Sequence, residues 1–391
     1  MADHTFSPDG KFMWTGSEWI PAPPSSTETT SSANVSLQDS VISGDINITQ
    51  NNIEDIKKGL EQVLAELGFA KDSSPNELTV EQTSQVEQIL EVSEEFAGQG
   101  IEIDPWTEIT LGNAARLAGR THSSQQHFLR ALNLFRENGD RRGDAAALRG
   151  LGGHAYLRRD FDEMERLYRE SLAISKEIGD RRGEAASLTG IGTIEFEKPY
   201  TNSYAKAEPF FLESLVISKE IGDRESVASD LCNLAEIKRM MDDIGEAERM
   251  CRESLAISKE IGDRYLEAAA FSTLGNLAYN PITGRGDIAE AERLYRESLS
   301  IEREFGYLTS EAHSLRLLGT LAKKRGDLNE EMRLTKEALT ISREIGDRNL
   351  ECTCLYALDE NAVARGDLEV ALRFRKEALA ISQEIAIPLE L

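Results

Sequence analysis

The tetrapeptide Ile178-Gly179-Asp180-Arg181 decides the fold, because it returns at Ile221–Arg224, Ile261–Arg264 and Ile345–Arg348. Weaker copies stand at Asn138–Arg141 and around Gly306. Gly139, Gly179, Gly222, Gly262, Gly306 and Gly346 follow one another at spacings of 40, 43, 40, 44 and 40 residues, and a seventh copy ends near Ala386. Short insertions around Lys198–Ser203 and Pro281–Gly286 account for the two longer spacings. A fixed period of this length marks a repeat array.

Each period reads as two helices. Between Met164 and Ile178 there is no Gly or Pro, and Leu167, Leu172, Ile174 and Ile178 recur at helical spacing. Gly179 suits the left-handed position that closes a helix. Asp180 then suits the N-cap of the next helix, and Asp223, Asp263 and Asp347 hold the same place. Turns such as Arg325-Gly326-Asp327 separate the helices within a unit. Neither helix can bury its apolar stripe alone, so the units must stack.

The units resemble tetratricopeptide repeats of the long, 40-residue type found in cell-polarity adaptors and kinesin light chains. The resemblance covers roughly residues 104–386 and rests on three positions. A small residue lies midway along the first helix: Gly112, Gly152, Gly192, Ala235, Gly275 and Gly319. An aliphatic residue precedes it, from Leu111 to Leu358. A second small residue lies late in the second helix, from Ala131 to Ala378. The fold this implies is all-α, a right-handed α-solenoid of seven helix pairs over 104–391. Two departures stand out. Asp359 replaces the small residue in the last unit, which is expected to be a looser, solvated end cap. The proline that often closes the family's second helix is missing, so those helices should run long. Because contacts in such an array are between neighbours, 104–391 is expected to fold without the first hundred residues.

Residues 1–103 are of another kind. Asp9-Gly10 and Thr15-Gly16-Ser17 bracket a tiny hairpin over 1–20 carrying Trp14 and Trp19. It resembles short Trp-containing segments near the ends of many prokaryotic proteins, which points to a prokaryotic or archaeal source. Residues 21–33 form a Pro/Ser/Thr-rich linker of disordered composition. Within 34–70, Ile42, Ile46 and Ile48 mark a short strand, and Ile53, Ile56, Leu60, Val63 and Leu67 mark an amphipathic helix with an a/d pattern. Two readings stay open: a small helix packed on the strand, or a self-association module. Residues 71–103 carry a linker and a lead-in helix near Val80–Ala97. Asp104-Pro105 supplies the N-cap and first-position proline of the first repeat helix.

Composition excludes several functions. The net charge is −25, with 19 Asp/Glu against 4 Lys in residues 1–104 and 50 acids against 40 bases in the remainder. A nucleic-acid partner is not expected, because phosphate neutralisation needs clustered Lys and Arg. No apolar run approaches the length of a membrane span, no secretory signal opens the chain, and a cytoplasmic location is expected. No phosphate-binding Gly-rich loop or His-Glu-x-x-His appears. Cys232, Cys251, Cys352 and Cys354 lack metal-ligand spacing and are expected to be reduced, buried thiols. The five histidines fall at unrelated repeat positions. Neither cofactor nor metal is expected, and the chain is not expected to be an enzyme. Arg-Gly-Asp recurs, chiefly as the turn between a unit's own helices, and carries no adhesive meaning.

What remains is the groove. In the family it resembles, the first helices line the concave face and supply the ligand contacts. The stripe there carries Asn113, Arg116, Arg149, Arg239, Asn276, Arg316 and Lys323. Its five bases against Glu236 and Glu360 give +3 within an acidic array. The family's asparagine ladder survives only in part, and its carboxylate-clamp residues are not reproduced. The expected function is a scaffold holding another protein's peptide or helical segment, with an acidic character. The alternative is a homo-oligomeric assembly protein in which residues 34–70 multimerise and the array is a spacer. A competing account of the five bases is that they pair with neighbouring acids.

Overall fold

A computed structural model describes residues 12–14, 19–21, 53–69, 77–198, 203–280 and 285–386. The strand expected around Ile42–Ile48 and most of the linker at 21–33 lie outside these residues. Strand β1 (Phe12–Trp14) pairs antiparallel with β2 (Trp19–Pro21). Two helices follow, α1 (Ile53–Glu66) and α2 (Val80–Gly98). The array then runs in consecutive pairs: α3 (Pro105–Leu117) with α4 (Thr121–Asn138), α5 (Arg141–Leu157) with α6 (Phe161–Ile178), and α7 (Arg181–Glu197) with α8 (Ser203–Ile221). It continues with α9 (Arg224–Met240) and α10 (Ile244–Ile261), α11 (Arg264–Ala278) and α12 (Ile288–Phe305), α13 (Leu308–Lys324) and α14 (Leu328–Glu344), and α15 (Arg348–Ala364) and α16 (Leu368–Ala386). Each helix also packs on the next pair, as a solenoid requires.

The recurring tetrapeptide builds the joint between units. Gly179 sits at φ +71°, a left-handed turn that closes α6 without steric strain. Asp180 accepts from the Gly183 amide at 3.1 Å and caps α7. Arg181 pairs with Glu184 in its own helix and with Glu220 at the end of α8, the second helix of its own unit, both at 2.6 Å. Arg224–Glu260 and Arg348–Glu384 repeat that link within their own units. Each such exposed pair is individually weak, and together they tie the start of a first helix to the end of its partner in the unit. The 18-residue α6 exceeds the usual helix length, as the missing proline leads one to expect.

In four units the small residue of the first helix admits a ring from the second. A Cβ at Gly112 would lie 2.7 Å from the Phe128 ring, at Gly152 2.6 Å from Tyr168, and at Gly275 2.5 Å from Tyr295. Ala235 and Gly319 face the smaller Cys251 and Thr335 positions in their units. The last unit departs from the sequence expectation. Asp359 is buried, not solvated, and Arg375 holds it through bonds of 2.8 and 3.2 Å. Leu355, Leu358, Ala378 and Ile381 of that unit join one continuous core with Leu318 and Leu321. The inner face of the end unit is packed into the core, while Leu368, Leu372 and Leu379 on its last helix are exposed.

The N-terminal helices bear on two further expectations. Ile56, Leu60, Val63 and Leu67, the a/d seam of α1, are buried in one cluster with Val86, Ile89 and Phe96 of α2 and with Leu111, Ala114 and Ala115 of α3. The seam is satisfied within the chain, and so is not presented to a second copy. The first repeat shares its core with residues N-terminal to 104. The insertion at 281–286 is bounded by β3 (Tyr279–Asn280) and β4 (Arg285–Gly286), which pair antiparallel. The chain thus leaves and rejoins the array at one point, and the α11–α12 packing is kept.

Candidate functional site

The first helices of successive units line a concavity of about 630 Å³ between α3 and the start of α9. Trp106, Asn113 and Arg116 come from α3, Arg142 and Arg149 from α5, and Arg182, Thr189 and Thr193 from α7. Tyr168 reaches it from the second helix α6, through space left by Gly152 and Gly190. Its hydroxyl lies beside Arg116 and Arg149, and burial raises its pKa. Four arginines face Asp180 and Glu225 here, so the lining is net positive.

The seven residues expected on the stripe separate into two groups. Asn113, Arg116 and Arg149 share the concavity. Arg116 is half-buried, and desolvation pulls its guanidinium below its usual pKa, offset only by Tyr168. Among the described residues no carboxylate forms an ion pair with it. Arg149 donates to Ser171 Oγ at 3.3 Å. The other four lie outside the concavity. Arg239 is 8% exposed and forks onto Glu236 at 2.5 and 2.8 Å, and Lys323 pairs with Glu360 at 2.5 Å. Asn276 accepts the Tyr295 hydroxyl at 2.7 Å. Arg316 is half-buried near Tyr295, His313 and Cys354. Pairing with neighbouring acids therefore describes Arg239 and Lys323, but not Arg116. Arg142, Arg182 and Tyr168 escaped the sequence reading. The two arginines sit at helix starts, off the counted stripe, and Tyr168 belongs to the helix assumed to face outward. Gly150, Gly152, Gly153 and Gly190 were the available signal that a large side chain crosses there.

One constellation elsewhere has the outline of a catalytic triad. Ser93 Oγ lies 3.3 Å from His127 Nε2, and His127 Nδ1 lies 2.6 Å from Glu108 Oε2. Ser93 and His127 are fully buried and Glu108 nearly so. Ser93 donates to the Leu90 carbonyl at 2.7 Å, and Arg130 donates to Glu108 at 3.0 Å. A substrate could not reach the hydroxyl, so the set is a buried polar clasp joining α2 to α3 and α4. Cys251 and Cys354 are buried, Cys232 and Cys352 half-buried, and burial pushes Cys354 up to about 11. No group of three or more His, Cys, Asp and Glu among the described residues is placed to hold a metal ion. No described helix is long and apolar enough to cross a membrane.

Residues 227–261, spanning most of α9 and α10, match the tetratricopeptide repeat family. No curated protein matches the sequence significantly. Among solved structures, the Rap conjugation gene regulator of plasmid pLS20 in complex with the Phr* peptide aligns at a TM-score of 0.62 and 12% identity, over 91% of this chain and 98% of that one. A Rap protein complexed with Competence and Sporulation Factor aligns at 0.57 and 14% identity, over 91% and 99%. A signal-transduction ATPase of Pyrococcus horikoshii with a tetratricopeptide repeat sensor aligns at 0.54 and 13% identity, over 95% of this chain. The present chain spans 56% of that ATPase's length. At these identities the likeness is one of fold. The recurring joint, the ring-in-glycine packing and the family match agree: the array of this chain is built of tetratricopeptide repeats.

Proposed function

We propose that this protein is a scaffold whose concave face holds an acidic, extended or helical segment of another protein, seated at the concavity formed by α3, α5 and α7. The array is read here as a right-handed solenoid of seven units working in the cytoplasm. The observation that carries the reading is Arg116, a desolvated guanidinium with no carboxylate partner among the described residues, beside Arg149 and Tyr168 on the same wall. An incoming carboxylate would supply the missing charge in a site already partly drained of water, where such a bond is strong. Trp106 and Tyr156 offer flat apolar contact next to it. Similarly folded proteins were solved with the Phr* peptide and with Competence and Sporulation Factor, which supports a peptide-sized occupant. The oligomerisation alternative loses its main support, since the α1 seam is filled from within. Fluorescence anisotropy with matched glutamate-rich and lysine-rich decapeptides tests the proposal. Saturable, salt-sensitive binding of the acidic probe alone is expected, and equal binding of both probes would overturn it.

A further inference from the structure

Inner first helices of the array begin on an aspartate cap, except α13. Its N-cap position is Tyr307, whose side chain makes no capping bond, and Leu308 stands where five other units carry arginine. The cap comes instead from 232 residues away. Glu77 Oε1 accepts the Thr309 amide at 2.6 Å, and Glu77 Oε2 accepts the Ser310 hydroxyl at 3.2 Å. Thr79, the N-cap of α2, abuts Gly306, where a Cβ would lie 3.5 Å from Thr79 Cγ2. Leu78 between them is buried. Tyr265 and Phe305 pack on Tyr307, with ring centroids 5.5 and 5.8 Å away.

The other end of α2 is anchored on the first unit. Arg120 pairs with Glu87 at 2.5 Å, the Ser93–His127 contact lies one turn and a half further on, and Phe96 is in the core with Leu111. A 19-residue helix is about 28 Å long, so α2 bridges the first unit and the sixth. Side-chain bonds within the array, such as that of Arg303 with Glu337, join neighbouring units, which resists bending only locally.

We propose that α2 is a strut that closes the superhelix and that Glu77 is its releasable latch, capping α13 across the turn in place of the aspartate that this unit lacks. The two departures of the sixth joint follow from this. An aspartate at 307 would occupy the same amides and repel Glu77, and an arginine at 308 would offer its carboxylate a competing partner. With the latch released the first and sixth units are no longer tied, and the array relaxes to a longer superhelix.

Small-angle scattering and amide hydrogen exchange on the full chain test this with two variants. Glu77→Ala should enlarge the radius of gyration and speed exchange at Thr309 and Ser310 by roughly fivefold or more, as loss of a helix cap does. Tyr307→Asp should enlarge the molecule equally while keeping those amides protected, because the cap is then local. That combination separates release of a latch from simple loss of stability. Unchanged dimensions in either variant would overturn the proposal.

Discussion

Asp359 and Arg375 occupy, in the last unit, the two places that Gly112 and Phe128 occupy in the first. Both pairs are 16 residues apart, and both join the middle of a first helix to the facing side of the second. One pair meets as a ring over a bare backbone, the other as a carboxylate gripped by a guanidinium. The position demands complementarity between partners, and a small residue is only one way to satisfy it.

Breaking that pair should therefore be worse than replacing it. Arg375→Ala leaves the buried Asp359 carboxylate without its partner and should lower the melting temperature. The double variant Asp359→Gly with Arg375→Phe, copied from the first unit, should recover most of the loss. Thermal melts of the three proteins check this, and a double variant no better than the single would refute the equivalence.

Adjacent glycines should respond with opposite signs. Gly152→Ala drives a methyl to 2.6 Å from the Tyr168 ring and should destabilise by about 1–3 kcal/mol, despite alanine's better helix propensity. At Gly153 the nearest atom is Arg116 Cδ at 3.8 Å, an ordinary contact. Gly153→Ala should stabilise by up to about 1 kcal/mol. Urea titration of the two variants reads the signs directly.

Charge reversal separates the two groups of groove residues. Arg116→Glu with Arg149→Glu should weaken binding of an acidic peptide at least tenfold, about 1.4 kcal/mol. Arg239→Glu should act chiefly on stability, because it sets two carboxylates together in a buried place. Arg252→Glu with Lys259→Glu, on the second helix α10, is the control and should bind normally. Added salt should weaken wild-type binding, since exposed charges are screened over about 10 Å at 0.1 M.

Glu302 makes the stability depend on pH. It is buried, accepts from Ser298 and Ser314 at 2.8 and 3.0 Å, and burial pushes its pKa up to about 7. The folded chain therefore holds a proton that the unfolded chain has already lost above its ordinary value of 4.5. This contribution is fully present below pH 4.5 and is lost as pH rises through 7. Glu302→Gln should be more stable than wild type by about 3 kcal/mol at pH 8, and nearly equal to it at pH 4. Denaturant melts at the two pH values give the difference.

The period of the glycines, the cap at Asp180 and the small residues from Gly112 to Gly319 were enough to specify an α-helical repeat array, because each acts within one or two turns of its own helix. What fills the small positions was not readable, since Phe128 and Tyr168 meet their glycines only across two packed helices. The same limit hid the fate of the groove. Arg116 and Arg239 look alike on a helical stripe, yet only the packing puts one against Tyr168 and the other against Glu236. The bond from Glu77 to α13 was hidden further still. Its acceptor and its donor are more than two hundred residues apart, and only the superhelix brings them together. Local propensity depends on neighbours in the chain, whereas charge pairing and long-range capping depend on neighbours in space, and only the folded array decides those.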